Sequence, residues 1–249
     1  MAAAVTPAVG KRERLVSLDV FRGMTVAGML LVNNPGTWSA IYPPLEHAPW
    51  NGWTPTDLIF PFFLFIAGIT THLSLSARRA EGADESAIRR QIIRRGALIV
   101  LFGLIVAAFP FYPLTRLTHI RIPGVLQRIG VAYTCAALLT MRGTLKRQVL
   151  LVVALLYGYW FAMTLLPVPG HGVGVLLLNS HSDNLAAHLD RWILGLDHVW
   201  SGSRVFDPEG PLSTIPAVGT AMLGVLAGRW IGNGKPLGER IEGLFAAGF

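Results

Sequence analysis

Long apolar runs, separated by short polar segments, dominate the sequence. A helix that crosses a bilayer needs about 20 mostly apolar residues, and six runs approach or reach that length. The pattern predicts an all-α fold, a polytopic bundle of transmembrane helices. The predicted spans are Val16–Asn33, Leu58–Ala77, Ile92–Phe109, Val125–Met141, Val149–Leu166 and Thr214–Ile231. A seventh run begins near Ile241 and is still apolar at Phe249, so we expect further helices to follow in a longer protein.

The composition excludes several classes of protein. Only 14% of the residues are charged, whereas a soluble domain usually carries about 25%. The mean hydropathy of +0.50 agrees with a membrane protein. The net charge of +7 does not indicate a nucleic-acid partner, because the basic residues form short clusters between apolar runs. The single cysteine, Cys135, excludes an intrachain disulfide framework.

The distribution of Lys and Arg predicts the orientation of the helices. With the N-terminus in the cytoplasm, 15 of the 21 basic residues fall in cytoplasmic segments. This is the asymmetry that the positive-inside rule describes. We therefore predict a cytoplasmic tail at residues 1–13, followed by one transmembrane domain at residues 14–249 that is incomplete at its C-terminus.

The same orientation predicts three outer segments, at residues 35–57, 110–123 and 167–213. These segments contain six of the seven histidines. The third is a long loop with a weakly amphipathic stretch near Leu185–Leu196, which predicts a short surface helix.

Charged residues inside the spans are functional candidates, because charge is costly in a bilayer. Asp19 and Arg22 are three residues apart and share one face of the first helix. They form either an ion pair at the cytoplasmic interface or part of a ligand site. Arg128 has no charged residue within four positions, which predicts either an anionic ligand or a buried pair with Asp19 or Asp57.

His47 stands in the stretch EHAPWNGWTPTDLIFPFF, residues 46–63, at the edge of an apolar run. An imidazole can accept a proton near neutral pH or act as an acyl-accepting nucleophile. The alternative is a solvated loop histidine beside interfacial tryptophans. Asp57 follows in the first turn of the second predicted helix, with Thr54 or Thr56 as the N-cap.

Two other polar stretches flank the spans. Asn33 and Asn34 end the first helix, where they act either as a C-cap or as an amide that orients a substrate. Asp207 and Glu209 stand on a Pro/Gly turn before the sixth span, and turn chemistry does not explain why Glu209 lies so near the membrane. The outer histidines form no metal-binding motif, so no metal site is predicted.

Four ordered blocks resemble the heparan-α-glucosaminide N-acetyltransferase family. The blocks are RLVSLDVFRGMTVAGMLLVNNPG, HAPWNGWTPTDLIFPFFLFIAG, RIPGVLQRIGVAY and FDPEGPLSTIPAVGTAMLGVLAG, and they extend from Arg14 to Gly228. The resemblance implies a membrane enzyme of about ten or more helices. Such an enzyme takes acetyl groups from cytosolic acetyl-CoA and delivers them to an amino sugar or related glycan on the far side.

The resemblance also implies roles for individual residues. The active-site histidine of the family corresponds to His47, and its asparagine corresponds to Asn33, with Asn34 as a competitor. The remaining candidates are a substrate-binding set of Trp50, Asn51, Asp57 and Glu209. Residue chemistry, and not the resemblance, adds a set for the CoA phosphates of Arg22, Gln127, Arg128, Arg94 and Arg95. Guanidinium groups suit the second role because they bind phosphate in a fixed fork.

Several alternatives remain open from the sequence. An acetyl-histidine intermediate and direct transfer with His47 as general base are both compatible with these residues, as are amine and hydroxyl acceptors. A transporter of amino sugars without acyl transfer is a second functional class, and a structural membrane subunit is a third. We further expect a bacterial inner-membrane location and a possible homodimer.

Overall fold

The computed structural model describes residues 15–248. The predicted cytoplasmic tail at residues 1–13 therefore lies outside the described residues, together with residue 14 and Phe249. The described helices are α1 Val16–Val32, α2 Pro55–Ala80, α3 Glu85–Ala108, α4 Val125–Met141, α5 Leu145–Leu165, α6 Gly174–Leu177, α7 Leu185–Leu194, α8 Pro211–Ile231 and α9 Leu237–Gly248.

Helix α8 is the centre of the bundle, because α2, α4 and α5 all pack against it. The core between these helices contains the buried side chains of Leu64, Ala132, Val152 and Met222. Helices α1 and α3 are peripheral and pack on α2 and α4, respectively.

Helices α2 and α8 approach each other closely through glycine. A Cβ on Gly68 would lie 2.0 Å from the carbonyl oxygen of Ala221, and one on Gly224 would lie 2.0 Å from that of Phe65. Small residues at such crossings let two backbones meet inside a membrane. The α2–α8 contact therefore requires glycine at both positions.

The helices are those of a membrane protein. Within residues 15–248, α2, α3, α5 and α8 are long and apolar enough to cross a bilayer, and α4 is a shorter apolar helix. Helix α4 has the predicted bounds, and α1 ends one residue before the predicted Asn33.

The other predicted spans begin several residues after the helices do in the structure. The reason is that hydropathy marks the apolar part of a helix and not its cap. Helix α3 starts at Glu85, seven residues before the predicted Ile92, because the Asp84 carboxylate accepts hydrogen bonds from Ser86 N and Ala87 N. The same difference occurs at α5, where Thr144 is the N-cap.

The long segment at residues 167–213 is not a simple loop. Strand β1, Pro167–Val168, pairs antiparallel with β2, Gly172–Val173, and this two-residue ladder does not change the predicted all-α class, because the chain is mostly helical. Gly170 (φ +80°) allows the tight reversal between the strands. The predicted surface helix is confirmed as α7.

Helix α9, Leu237–Gly248, overlaps the predicted seventh span but begins four residues before Ile241. Its 12 residues are about 18 Å long, which is shorter than the apolar core of a bilayer. The seventh span stays a prediction.

The two ends of the bundle carry different connections. The α1–α2, α3–α4 and α5–α8 connections meet at one end, which we call the His47 end. At the opposite end, the Arg79 end, the Arg79 guanidinium donates to Glu85 at 2.6 Å and also to the Met141 carbonyl, which joins α2, α3 and α4.

Candidate active site

His47 and Asp57 form a hydrogen-bonded pair at the His47 end. The His47 Nδ1 atom lies 2.6 Å from Oδ1 of Asp57. The His47 side chain is 62% exposed, whereas that of Asp57 is 26% exposed. The carboxylate therefore orients the ring from the protein side, while the ring remains accessible from outside.

The start of α2 builds this arrangement. Thr54 is the N-cap, and its backbone N–H donates to Oδ2 of Asp57 at 2.9 Å. The same oxygen accepts from Ala48 N and from the Thr54 hydroxyl, both at 3.1 Å. Asp57 thus lies in the first turn, as predicted, and of the two predicted N-caps the structure selects Thr54. Besides His47, three donors fix its carboxylate, which leaves His47 little freedom to turn away.

Trp50 and Asn51 connect the His47 stretch to the long segment between α5 and α8. Trp50 Nε1 donates to the Leu178 carbonyl at 2.7 Å, and the Asn51 amide donates to the Asn179 side chain. The Trp50 ring also contacts those of His181 at 4.6 Å and Phe206 at 5.2 Å. Both predicted residues therefore hold the wall of the site in place.

Asn33 and Asn34 turn their amides back onto α1. The Asn33 side chain donates to the Met29 carbonyl at 2.9 Å, and that of Asn34 donates to the Leu30 carbonyl at 2.7 Å. Within residues 15–248, no hydrogen bond joins either amide to His47. Both residues act as caps at the end of α1, and their catalytic role stays a prediction.

A polar cavity of about 250 Å³ lies between α1, α2, α3 and α4, in the half of the bundle towards the Arg79 end. Two of the predicted phosphate ligands line it, Arg22 from α1 and Arg95 from α3, and the guanidinium of Arg95 lies over the Tyr133 ring at 5.3 Å. The rest of the lining is Ala67, Thr70, Thr71, Ser74 and Leu75. Arg22 also pairs with Asp19 at 3.2 Å, as the sequence spacing predicted.

Gln127 and Arg128 do not line this cavity. Both lie in the first turn of α4, at the His47 end. Arg128 donates to the Pro208 carbonyl at 2.7 Å and to the Ser213 hydroxyl. The expected buried pair of Arg128 with Asp19 or Asp57 was therefore wrong, because its position in α4 directs it to the start of α8.

Three acids and two arginines lie together at the start of α4 and α8. This acid–arginine cluster comprises Arg121, Arg128, Asp190, Asp207 and Glu209. Arg121 donates to both oxygens of the fully buried Asp207, at 2.8 and 2.6 Å, and also to Glu209. Burial alone would lower the pKa of Arg121, but the hydrogen bonds and charges of these acids raise it. Glu209 thus has an ion-pair partner beside the membrane.

Asp190 is the most buried acid that sequence reasoning missed. It is 1% exposed, and its Oδ2 accepts from Asp207 N at 2.9 Å. No donor reaches its Oδ1 within the described residues. Burial raises the pKa of Asp190 to about 6. The sequence shows Asp190 only as a single acid in an amphipathic helix. Hydropathy alone does not distinguish a buried acid of this kind from one on the surface.

A model of the family described as "Heparan-alpha-glucosaminide N-acetyltransferase, catalytic" matches residues 14–237. The chain belongs to this family. It is 35% identical to human heparan-alpha-glucosaminide N-acetyltransferase over 257 aligned residues, and 33% identical to the mouse protein of the same name over 276. The resemblance predicted from the four sequence blocks is confirmed.

These alignments cover 87% and 94% of the chain, but 38% and 42% of the two relatives. The chain therefore spans about two fifths of the length of the curated relatives it matches. Within the family match lie the His47–Asp57 pair, the polar cavity and the acid–arginine cluster.

Proposed function

We propose that this chain forms the transfer site of a membrane-embedded acetyltransferase. Its donor is acetyl-CoA, which binds from the cytoplasmic side, and its acceptor is an amino sugar or related glycan at the His47 end. Family membership supports the class of reaction, and the position of His47 supports the place where the acetyl group leaves the enzyme.

The His47–Asp57 hydrogen bond is the observation that carries the proposal. A carboxylate at Nδ1 keeps the proton on that nitrogen, so Nε2 presents a lone pair to the exposed side of the ring. A histidine in this state is suited to general-base or nucleophilic catalysis. A solvated loop histidine would not require a carboxylate partner that three further donors hold in place.

The chemistry balances by either of two routes. In direct transfer, the acceptor nitrogen or oxygen attacks the thioester carbon, Nε2 takes its proton, and the C–S bond breaks to release the thiolate, which receives the proton. In the covalent route, Nε2 attacks the thioester carbon, the C–S bond breaks, and CoA leaves as the thiolate, which takes a proton from water. The acceptor nitrogen or oxygen then attacks the acetyl carbon, the bond from that carbon to Nε2 breaks, and the acceptor releases its proton to water.

The cavity near the Arg79 end suits the anionic part of the donor. Its two guanidiniums and four hydroxyl side chains are groups that bind phosphate. A volume of about 250 Å³ is below the usual range for a whole drug-sized ligand, so the cavity fits a phosphate-bearing portion of CoA. Asp57 and Thr71 lie about 21 Å apart along α2, at a rise of about 1.5 Å per residue, and the extended arm of CoA would bridge the two regions.

The roles of the remaining candidates follow from their positions. Trp50, Asn51 and Asp57 shape and orient the acceptor end, and Glu209 supports it through Arg121. A donor role for Gln127 and Arg128 stays a prediction that their positions do not favour, because they lie at the His47 end. A cytoplasmic N-terminus, a bacterial inner-membrane location and a homodimer likewise remain predictions.

The test is acetyl transfer across a membrane by the full-length protein in proteoliposomes. Labelled acetyl-CoA is supplied on the side of the Arg79 end and glucosamine on the side of His47. We expect labelled acetyl-glucosamine from the wild type, a loss of about 10²- to 10⁴-fold in His47→Ala, and near wild-type activity in the control His171→Ala. Glucosamine that crosses the membrane unacetylated would support the transporter instead. Transfer that survives His47→Ala would remove His47 from the mechanism.

A further inference from the structure

Helix α7 turns its charged side chains towards the protein. Asp190 accepts the backbone N–H of Asp207 at 2.9 Å. Arg191 donates to the carbonyls of Ser182 at 2.6 Å and Val205 at 2.9 Å. These two charged side chains therefore form their hydrogen bonds with other parts of the protein.

The opposite face of α7 is apolar and exposed. Trp192 is 77% exposed, Ile193 is 53% exposed and Leu196, just beyond the helix, is 61% exposed. A helix in water would present the reverse arrangement, with polar residues outward. Contiguous exposed apolar residues of this kind mark a surface that contacts a partner or a membrane.

Helix α7 packs against a helix that is itself a candidate membrane span. Helix α5 packs against α6 and α7, and at the end nearest to them it exposes large apolar side chains. The exposed residues are Trp160, Phe161, Leu165 and Leu166 of α5 and its end, and Val175 and Leu176 of α6. Exposed apolar side chains are therefore present both on α7 and on the candidate membrane span against which α7 packs.

We infer that α7 lies in the interface of the bilayer at the His47 end, with Trp192 and Ile193 inserted among the lipids. Tryptophan favours this depth because its ring is amphipathic, and an amphipathic helix binds there through its apolar face. The anchored helix holds the segment before it, Leu178–His181, which receives Trp50 and Asn51. The lipid surface thereby supports the wall of the candidate active site.

Site-directed spin labelling tests this inference without an activity assay. Nitroxide is attached to Trp192→Cys or Ile193→Cys of the full-length protein in a Cys135→Ala background, in phosphatidylcholine–phosphatidylglycerol vesicles. Asp197→Cys is the control, because Asp197 is also exposed (68% of its side chain) and lies near the same helix. Collision with membrane-soluble oxygen is compared with collision with a water-soluble nickel chelate.

We expect the oxygen-to-nickel collision ratio at positions 192 and 193 to exceed that at position 197 several-fold. Because both labelled side chains are exposed, a folding defect at one position still leaves the other to report. Equal ratios at all three positions would refute the inference. Protection from both reagents, with spin–spin broadening that disappears on dilution with unlabelled protein, would assign the surface to a second copy of the chain and would also refute it.

Discussion

Arg121 and Asp207 are joined by two hydrogen bonds, of 2.8 and 2.6 Å, across a sequence separation of 86 residues. This pair ties the segment before α4 to the segment before α8. The Asp207 side chain has no exposed surface, so its charge depends on Arg121. The pair therefore secures the acid–arginine cluster and, through Phe206 beside Trp50, the wall of the candidate active site.

We expect Arg121→Ala to lower the free energy of unfolding by about 3 kcal/mol or more, because removal of one partner leaves a buried charge uncompensated. Thermal unfolding in detergent measures the change. The matched control is Lys235→Ala, which breaks an exposed pair with Glu239 and should cost less than about 1 kcal/mol. Equal losses in the two variants would contradict the structural role of Arg121.

Asp57→Asn should lower kcat with little change in the KM for either substrate. An amide at this position donates to Nδ1 and so favours the tautomer in which Nε2 carries the proton. We expect a loss of about 10²-fold in kcat, within the range for disrupted acid–base catalysis. Glu46→Gln is the control, since Thr54 contacts the backbone carbonyl of Glu46 and not its carboxylate. An unchanged kcat in Asp57→Asn would exclude Asp57 as a positioning residue.

Arg22→Gln and Arg95→Gln should each raise the KM for acetyl-CoA about tenfold or more. The reason is the loss of a charge-assisted hydrogen bond to phosphate, which contributes about 1.5–3 kcal/mol. Arg78→Gln, a basic residue of α2 that does not line the cavity, is the control. Steady-state kinetics at varied acetyl-CoA concentrations measures the KM of each variant. An increase for Arg128→Gln alone would move the donor site to the start of α4.

Asp190 should make the protein less stable as the pH rises from about 4 to about 6. Burial raises its pKa from the ordinary 3.8 to about 6, so in this range the folded state binds more protons than the unfolded state. Its contribution is fully present below pH 4 and is lost as the pH passes 6, by up to about 3 kcal/mol. Asp190→Asn, which mimics the protonated acid, should remove this decline when unfolding is measured across the range.

Asp183→Asn is the control for the pH experiment. Hydrogen bonds from Ser180 and Ser182 lower the pKa of Asp183, so its contribution has the opposite sign. It is present above pH 4 and is lost as the pH falls below that value. The decline between pH 4 and 6 should therefore persist in Asp183→Asn. A decline that also persists in Asp190→Asn would show that other groups cause it.

Gly68→Ala should destabilise the bundle by about 1–3 kcal/mol, because the new methyl group overlaps the backbone of α8 and forces the helices apart. Gly158→Ala on α5 is a matched control, since within residues 15–248 no atom outside the local helix backbone lies within 4 Å of the added carbon. There the higher helix propensity of alanine should leave stability unchanged or raise it by up to about 1 kcal/mol. Thermal unfolding of the two variants distinguishes local crowding from a general effect of alanine.

The order of the helices could be predicted from the sequence because each apolar run is a local signal. Helix α4 has the predicted bounds, and α7 appears where weak amphipathicity indicated it. The first residue of each helix was harder to predict from the sequence. The start of α3 depends on the Asp84 side chain, and hydropathy does not register such a cap.

The sequence and its resemblance to the family identified His47 and Asp57 as candidates, but not that the two residues are hydrogen-bonded partners. The partner of His47 lies ten residues away, beyond the spacing of any regular helix contact. For Arg128 the sequence left open an anionic ligand or a pair with Asp19 or Asp57, and the structure shows contacts with the start of α8 instead of that pair. Long-range contacts of this kind depend on which helices are neighbours, and a single sequence does not specify this.

The sequence by itself determined the membrane-protein class, the positions of most helices and the family. These follow from hydropathy and short motifs, which depend only on residues that are close together in the sequence. Only the tertiary structure decided that Arg22 shares a cavity with Arg95, that Arg121 joins Asp207, and that Asp190 is buried. Each of these depends on parts of the chain that are distant in sequence. Their proximity follows from the packing of α2, α4 and α5 around α8, where glycines allow close contact between α2 and α8.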